Sequence, residues 1–152
     1  MTRDEAIARI RAARVGRLAT VRPDGSPHVV PFVFATVGQG NELLTYWAVD
    51  AKPKKRGTIQ RIENIERNPA VEYVVDGYDE DWAVLWWVRV TGRARVVSSP
   101  VEWTRALTAL TDKYPQYLAV PPGGTVVAID IHRVTGWSAS EPRSLGRRGE
   151  AP

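Results

Sequence analysis

Two strands joined by a tight turn are predicted for Gly16–Pro31, whose sequence is GRLATVRPDGSPHVVP. Within the turn, Pro23 fixes one backbone torsion and Gly25 accepts a positive φ, so the flanking segments pair as an antiparallel hairpin. We expect the second strand to run from 27 to 34. Pro31 has no amide hydrogen, which places it at a sheet edge, at a bulge or beside a gap that faces a ligand. An antiparallel sheet is therefore the predicted centre of the fold.

The rest of the sheet is predicted on both sides of this hairpin. Residues 83–97 form the most regular candidate strand, because apolar residues alternate there with Thr91 and three arginines, a pattern typical of a half-buried antiparallel strand. Gly92 at its centre predicts a bulge or a barrel corner. Further strands are predicted at 43–49, 70–75 and 125–138, and helices at 4–14, 58–67 and 100–113. About six strands and three helices indicate a mainly β fold, a small antiparallel barrel.

Length and composition restrict the possible classes of protein. The chain has 152 residues, which predicts one domain over 1–140, and the polar, Arg/Gly-rich segment 141–152 is expected to be a mobile tail. It contains no cysteine and two histidines, so thiolate chemistry and a three-histidine zinc site are excluded and no metal is predicted. Apolar runs are too short to span a membrane, and the N-terminus lacks a secretory signal, so a cytoplasmic location is expected.

Positive charge is concentrated in one segment. Residues 51–67 contain six cations and two anions, so the net charge of this segment, +4, equals that of the whole chain. Lys52, Lys54, Lys55 and Arg56 stand just before a predicted helix that carries Arg61, and a helix start also attracts anions. Either an anion-binding segment or a solvated basic loop fits this pattern. A nucleic-acid partner is not predicted, because such binders more often spread their cations over a whole face.

Two aromatic pairs are candidates for a ring-binding site. Neighbouring residues of a strand face opposite ways, so of Tyr46 and Trp47 at least one is expected in the core. The same alternation places Trp86 on the core face with Val88 and assigns Trp87 to the opposite face. Trp87 is therefore the better candidate for contact with a cofactor or with another subunit.

Three segments together resemble one protein family. They are the hairpin Gly16–Pro31, the stretch Ile62–Pro69 with its N-I-x-x-N-P ending, and Val90–Ala94. This order resembles the pyridoxamine 5′-phosphate oxidase-like split-barrel superfamily over roughly residues 4–137. Residues 79–82 and 85–89 are similar to the actinobacterial branch that uses coenzyme F420.

The resemblance implies a homodimer of six-stranded antiparallel split β-barrels, an FMN-binding-like fold, with two cofactor sites at the interface. Coenzyme F420 is the implied cofactor, and FMN is the alternative. The ring is expected along Val30 and Pro31, with Thr45, Tyr46 and Trp47 able to stack or hydrogen-bond. The anionic end is expected near the cations already named, and Trp87 is expected to come from the partner subunit.

These implications lead to a functional hypothesis. The chain is expected to be an F420-dependent oxidoreductase that passes hydride between the reduced deazaflavin and an unsaturated organic acceptor. Alternatives are an FMN-binding oxidoreductase of the same fold, and a non-enzymatic carrier of F420, flavin or heme. No catalytic residue is assigned: His28 and His132 are more simply explained as exposed polar residues of strands, and hydride transfer from a bound cofactor needs no strong protein base.

Overall fold

The computed structural model describes residues 1–49 and 59–139. In this part of the chain, one antiparallel sheet of seven strands is accompanied by four α-helices and one 3-10 turn. The strands are β1 (Gly16–Val21), β2 (Pro27–Phe32), β3 (Ala35–Val37), β4 (Leu44–Ala48), β5 (Ala70–Gly77), β6 (Trp86–Val96) and β7 (Val126–Ser138). The helices are α1 (Arg3–Ala12), α2 (Gln60–Arg67), α3 (Pro100–Lys113) and α4 (Gln116–Ala119), and the 3-10 turn is Trp82–Val84.

The strand order is β2-β1-β5-β6-β7-β4-β3, and neighbouring strands are antiparallel throughout. The predicted mainly β, antiparallel fold is confirmed. Six was the wrong number of strands, because the predicted strand 27–34 ends at Phe32 and a separate strand, β3, begins at Ala35. In this strand order β2 and β3, which follow each other in the chain, lie at opposite edges of the sheet.

A tyrosine hydroxyl supports the chain where β2 gives way to β3. Phe34 donates its backbone N–H to Tyr114 Oη at 3.1 Å, and the Phe34 carbonyl oxygen lies 2.9 Å from the same atom. Buried backbone groups must find partners, and here the side chain of Tyr114 replaces a neighbouring strand. The chain can therefore leave one sheet edge and join the other.

The predicted irregularity at Gly92 is confirmed. The pairing of β6 with β7 shifts between Thr91 and Gly92, so that Thr91 faces Arg133 and Gly92 faces Ile131. His132 is thus the extra residue of a bulge, and its side chain is exposed. The bulge bends the two longest strands of the sheet.

Two apolar clusters pack against the sheet, one on each face. The larger one contains Leu18, Phe34, Trp47 and Val90 with the buried residues of α1 and α2. The smaller one joins Tyr46 and Ala128 to Ala106 and Leu110 of α3. Tyr46 and Trp47 are therefore both core residues, on opposite faces, as the alternation requires.

Local signals explain where the helices begin. Thr2 and Glu5 form a reciprocal capping box in front of α1, and Ser99 caps α3 with Pro100 in its first turn. None of the helices in the two described ranges is long and apolar enough to cross a membrane. The boundary at 140 and the segment 141–152 lie outside the described residues and stay predictions.

Candidate cofactor site

A cavity of about 320 Å³ opens where the end of β2, the end of β4 and the start of α2 meet. Its lining combines an apolar wall with one cation: Val15, Pro31, Phe32, Val33, Trp47, Ala48 and Arg61. The structure thus brings together Pro31, Trp47 and Arg61, three of the residues predicted for the cofactor. We call this cavity the edge pocket.

The indole of Trp47 forms part of the wall of the edge pocket. It is 1% exposed, and the Arg61 guanidinium lies over it, with Cζ 4.5 Å from the ring centroid. Its Nε1–H finds no hydrogen-bond acceptor in the described part of the chain, which is uncommon for a buried donor. A ligand with a negative charge and an acceptor atom fits the guanidinium and the indole N–H.

Pro31 has the position that its missing amide predicts. It lies on β2, at an edge of the sheet, and is exposed opposite Arg17 of β1. Val30 points to the other face, where it pairs with the fully buried Leu18. Only Pro31 of this predicted pair therefore lines the edge pocket.

Thr45 and Tyr46 do not line the edge pocket. The Thr45 hydroxyl lies 2.8 Å from both Thr36 Oγ1 and Tyr73 Oη inside the protein, and burial raises the pKa of Tyr73 to about 12, so this cluster stays neutral. Tyr46 faces the other cluster and donates to Glu102 Oε1 at 3.2 Å. Both hydroxyls already have partners within the protein.

Trp87 lies on a different part of the sheet. It faces away from Trp86, which packs against the larger core cluster under the Arg9 guanidinium, so the predicted alternation is confirmed. Two strands, β1 and β5, separate it from Pro31. Trp87 instead lines a second cavity, of about 500 Å³, together with Tyr78 and Trp137. Its predicted contact with a partner's cofactor stays a prediction.

The four remaining predicted cations lie outside the described residues. These are Lys52, Lys54, Lys55 and Arg56. The next residue that the structure describes is Ile59, the N-cap of α2, which makes no side-chain capping hydrogen bond. Arg61, in the first turn of α2, is thus the one predicted cation whose position the structure gives.

A buried polar chain ties α2 to the hairpin. Asn64, which is fully buried, donates from Nδ2 to Thr20 Oγ1 at 2.9 Å and accepts at Oδ1 from Gln60 Nε2 at 2.9 Å. Thr20 Oγ1 also lies 3.4 Å from His28 Nδ1. Burial, with the charges of Arg22 and Arg61, lowers the pKa of His28, which keeps the imidazole neutral near pH 7.

Sequence reasoning missed part of the lining. Phe32 and Val33 directly follow Pro31 in the chain, so their proximity to Pro31 was a usable signal for them. Val15 and Ala48 reach the edge pocket only through the pairing of distant segments. In the described ranges, no group of three or more His, Cys, Asp or Glu side chains suits a metal ion.

Comparisons with known proteins extend this description. Residues 2–138 match the family described as pyridoxamine 5′-phosphate oxidase. A comparison with curated proteins found no match.

Among solved structures, a conserved hypothetical protein from Mycobacterium tuberculosis superposes with a TM-score of 0.72 at 23% identity, over 100% of this chain and 92% of that one. A FAD-binding protein from Mesorhizobium loti gives 0.66 at 24% identity, over 90% and 94%. An F420 reductase gives 0.59 at 26% identity, over 84% and 94%. The first two likenesses support the fold, while the extent of the family match decides membership: the chain belongs to the pyridoxamine 5′-phosphate oxidase family.

Proposed function

We propose that this protein is an F420-dependent oxidoreductase that reduces an unsaturated organic acceptor and holds the cofactor in the edge pocket. The observation that carries the proposal is the meeting of Pro31, Trp47 and Arg61 at one cavity, where the Arg61 guanidinium lies over an indole whose buried N–H has no acceptor in the described part of the chain. The similarity to a protein named as an F420 reductase supports the choice of cofactor.

Each side chain of the edge pocket has a separate task in this proposal. Pro31 and Phe32 offer an apolar surface to one face of a flat ring and exclude water from it. Trp47 donates its Nε1–H to an acceptor atom of the ligand, and Arg61 binds an anionic group. When bound, reduced F420 supplies the hydride that forms a C–H bond on the acceptor, and a solvent proton completes the two-electron reduction.

A homodimer is part of the same proposal. Pairing across the sheet places Pro31, Arg17, Val74, Arg89 and Thr135 in one row on the outer face. All five are exposed or half-buried, and Trp137 beside them is 44% exposed. A second copy packed on this face would cover Val74 and Trp137 together with the arginines beside them, next to the edge pocket.

The alternative is a flavin-binding protein of the same family, acting as an enzyme or as a carrier. It is favoured by the structural likeness to two proteins named as FAD-binding, from Mesorhizobium loti and Mycobacterium smegmatis. In addition, Arg61 is the only cation that lines the edge pocket among the described residues. One cation matches a single phosphate better than the longer anionic tail of F420.

Parallel binding titrations with F420 and FMN test the cofactor. We expect tighter binding of F420, and Arg61→Gln is expected to weaken it about 10- to 100-fold, as for the loss of a charge-assisted hydrogen bond. Arg67→Gln, at the exposed end of the same helix, is the matched control and should leave the affinity unchanged. Tighter binding of FMN would favour the flavin alternative.

Turnover separates an enzyme from a carrier. Reduced F420 is supplied with quinones, enones and tetrapyrroles, and its oxidation is followed by absorbance. Acceptor-dependent oxidation is expected for the enzyme, whereas tight binding without turnover of any acceptor would support the carrier.

A further inference from the structure

Asn64 is a fully buried polar residue in a short helix that otherwise faces the core with isoleucines. Its neighbours Ile62 and Ile65 are 6% and 3% exposed and belong to the larger core cluster. Burying a carboxamide is costly unless its groups are hydrogen-bonded. The bonds to Thr20 and Gln60 meet this requirement, and the bond to Thr20 is the one that leaves the helix.

Apolar contacts alone leave the rotation of such a helix weakly defined. α2 has eight residues, and its N-cap Ile59 makes no side-chain capping bond. The contacts of Ile62 and Ile65 hold it against the sheet, but apolar contacts have little directional preference. The hydrogen bond from Asn64 to β1 is directional, so it selects one rotation.

The rotation of α2 determines where Arg61 lies. Residues three apart in a helix lie on nearly the same side, so fixing Asn64 against Thr20 also fixes the side on which Arg61 emerges. Arg61 then lies over the Trp47 indole at the edge pocket. We propose that Asn64 is a positioning residue, whose bond to Thr20 holds α2 in the rotation that keeps Arg61 at this pocket.

This proposal rests on the proposed function only where it concerns the cofactor, because the position of Arg61 can be tested without one. His28 provides the reporter. Arg61 is close enough to contribute to the lowered pKa of His28, after burial and Arg22. The chain has two histidines, and His132 on β7 serves as an internal control.

The test is a double-mutant cycle read by NMR titration of both imidazoles in the absence of cofactor. In the wild type, Arg61→Gln is expected to raise the pKa of His28 and to leave His132 unchanged. In the background Thr20→Val/Asn64→Leu, the same substitution should raise the pKa of His28 by less than half as much. The comparison cancels direct effects of the background on His28. An equal rise in both backgrounds would overturn the proposal.

The design separates positioning from stability. Replacing both partners of a buried hydrogen bond by apolar groups is often nearly neutral, so the double variant should melt near the wild-type temperature. Asn64→Leu alone removes the same bond but leaves the Thr20 hydroxyl near His28 Nδ1, and it provides the cycle if the double variant fails to fold. Thr20→Ser keeps the hydroxyl and is expected to restore the wild-type coupling.

The second readout is cofactor affinity. The folded double variant should bind F420 about tenfold more weakly than the wild type, as expected when a charge-assisted bond is misplaced. Unchanged affinity in a folded variant would show that Asn64 does not position the site. If the wild type binds neither F420 nor FMN, the proposed function fails, while the cycle on His28 still decides whether Asn64 positions Arg61.

Discussion

Lys113, at the end of α3, holds its ammonium group against aromatic rings. Nζ lies 4.3 Å from the Phe34 ring centroid and 5.6 Å from that of Tyr114. The Nζ atom is buried and has no hydrogen-bond acceptor in the described ranges. Burial, with the nearby charge of Arg14, lowers the pKa of Lys113 to about 8. The folded protein therefore loses this proton more readily than the unfolded chain.

The stability of the protein should consequently increase with pH over a defined range. The ordinary pKa of the amine is 10.5 and the folded value is about 8, so between these values the unfolded state binds more protons and the free energy of unfolding rises with pH. Lys113→Met should remove this contribution and should stabilise the protein most at pH 7. Urea unfolding at pH 7.5 and pH 10 measures it; the same pH dependence in both proteins would contradict the assignment.

Gly92 allows β7 to approach β6 closely at the bulge. A Cβ atom at this position would lie 2.5 Å from the Asp130 carbonyl oxygen and 2.8 Å from Ile129 Cγ2. Gly92→Ala should therefore lower the free energy of unfolding by about 1–3 kcal/mol, as for other overpacked sites.

Gly136→Ala, on the partner strand, is the matched control for this substitution. Its Cβ would come closest to Met1 Sδ, at 2.5 Å, in a flexible side chain at the N-terminus that can move aside. Chemical unfolding of both variants tests the difference. Equal losses would show that the backbone contact at Gly92 is not the cause.

At the level of elements, the hydroxyl of Tyr114 supports the passage from β2 to β3. It accepts the Phe34 N–H. It also donates its own proton, either to the Arg14 carbonyl oxygen at 2.8 Å or to the Phe34 carbonyl oxygen at 2.9 Å. Tyr114→Phe leaves these buried backbone groups without the hydroxyl, so we expect a loss of about 1–3 kcal/mol in unfolding free energy. Tyr78→Phe is the control, because Tyr78 is 73% exposed. Losses of similar size in both variants would contradict this role.

The same elements show what could be predicted from sequence. Alternation within a strand is a local property, and it predicted the core face for Trp86 and opposite faces for Tyr46 and Trp47. The break between β2 and β3 could not be predicted, because the partner of Phe34 is 80 residues away.

In the candidate site, too, some features could be predicted from local sequence and others could not. Pro31 and Arg61 were identified from local chemistry, a missing amide and a charge at a helix start. The internal bonding of Thr45 depends on Tyr73, 28 residues later, and no local pattern reports it. Asn64 was visible only as part of the N-I-x-x-N-P ending, since its partner Thr20 lies 44 residues earlier.

At the scale of the whole molecule, the outer face of the sheet is the surface proposed for a second copy. Val74 lies in the middle of its row, between Arg17 and Arg89, and is half-buried. A third cation between these two arginines would be costly to bury against another subunit, because like charges repel and neither would have a partner. Val74→Arg should therefore convert a dimer of about twice 16.9 kDa into a folded monomer.

Sedimentation at low micromolar concentration tests this expectation. Val101→Arg is the control, because Val101 is 81% exposed on α3 and lies away from the sheet row. A wild-type protein that sediments as a monomer yet binds cofactor with full affinity would refute the shared-interface proposal.

The distribution of charge along the whole chain leads to a prediction about cofactor choice. Lys52, Lys54, Lys55 and Arg56 offer more cations than one phosphate needs, and F420 has a longer anionic tail than FMN. Solvated ion pairs contribute only about 0–1 kcal/mol each, and salt screens them. The proposed preference for F420 over FMN should therefore shrink between about 50 mM and about 500 mM salt, where the Debye length falls from roughly 14 to roughly 4 Å. Replacing the four cations by alanine should weaken F420 binding at least tenfold at low salt and remove most of this salt dependence, with the melting temperature unchanged. A preference for FMN at both salt concentrations would reject F420 as the cofactor.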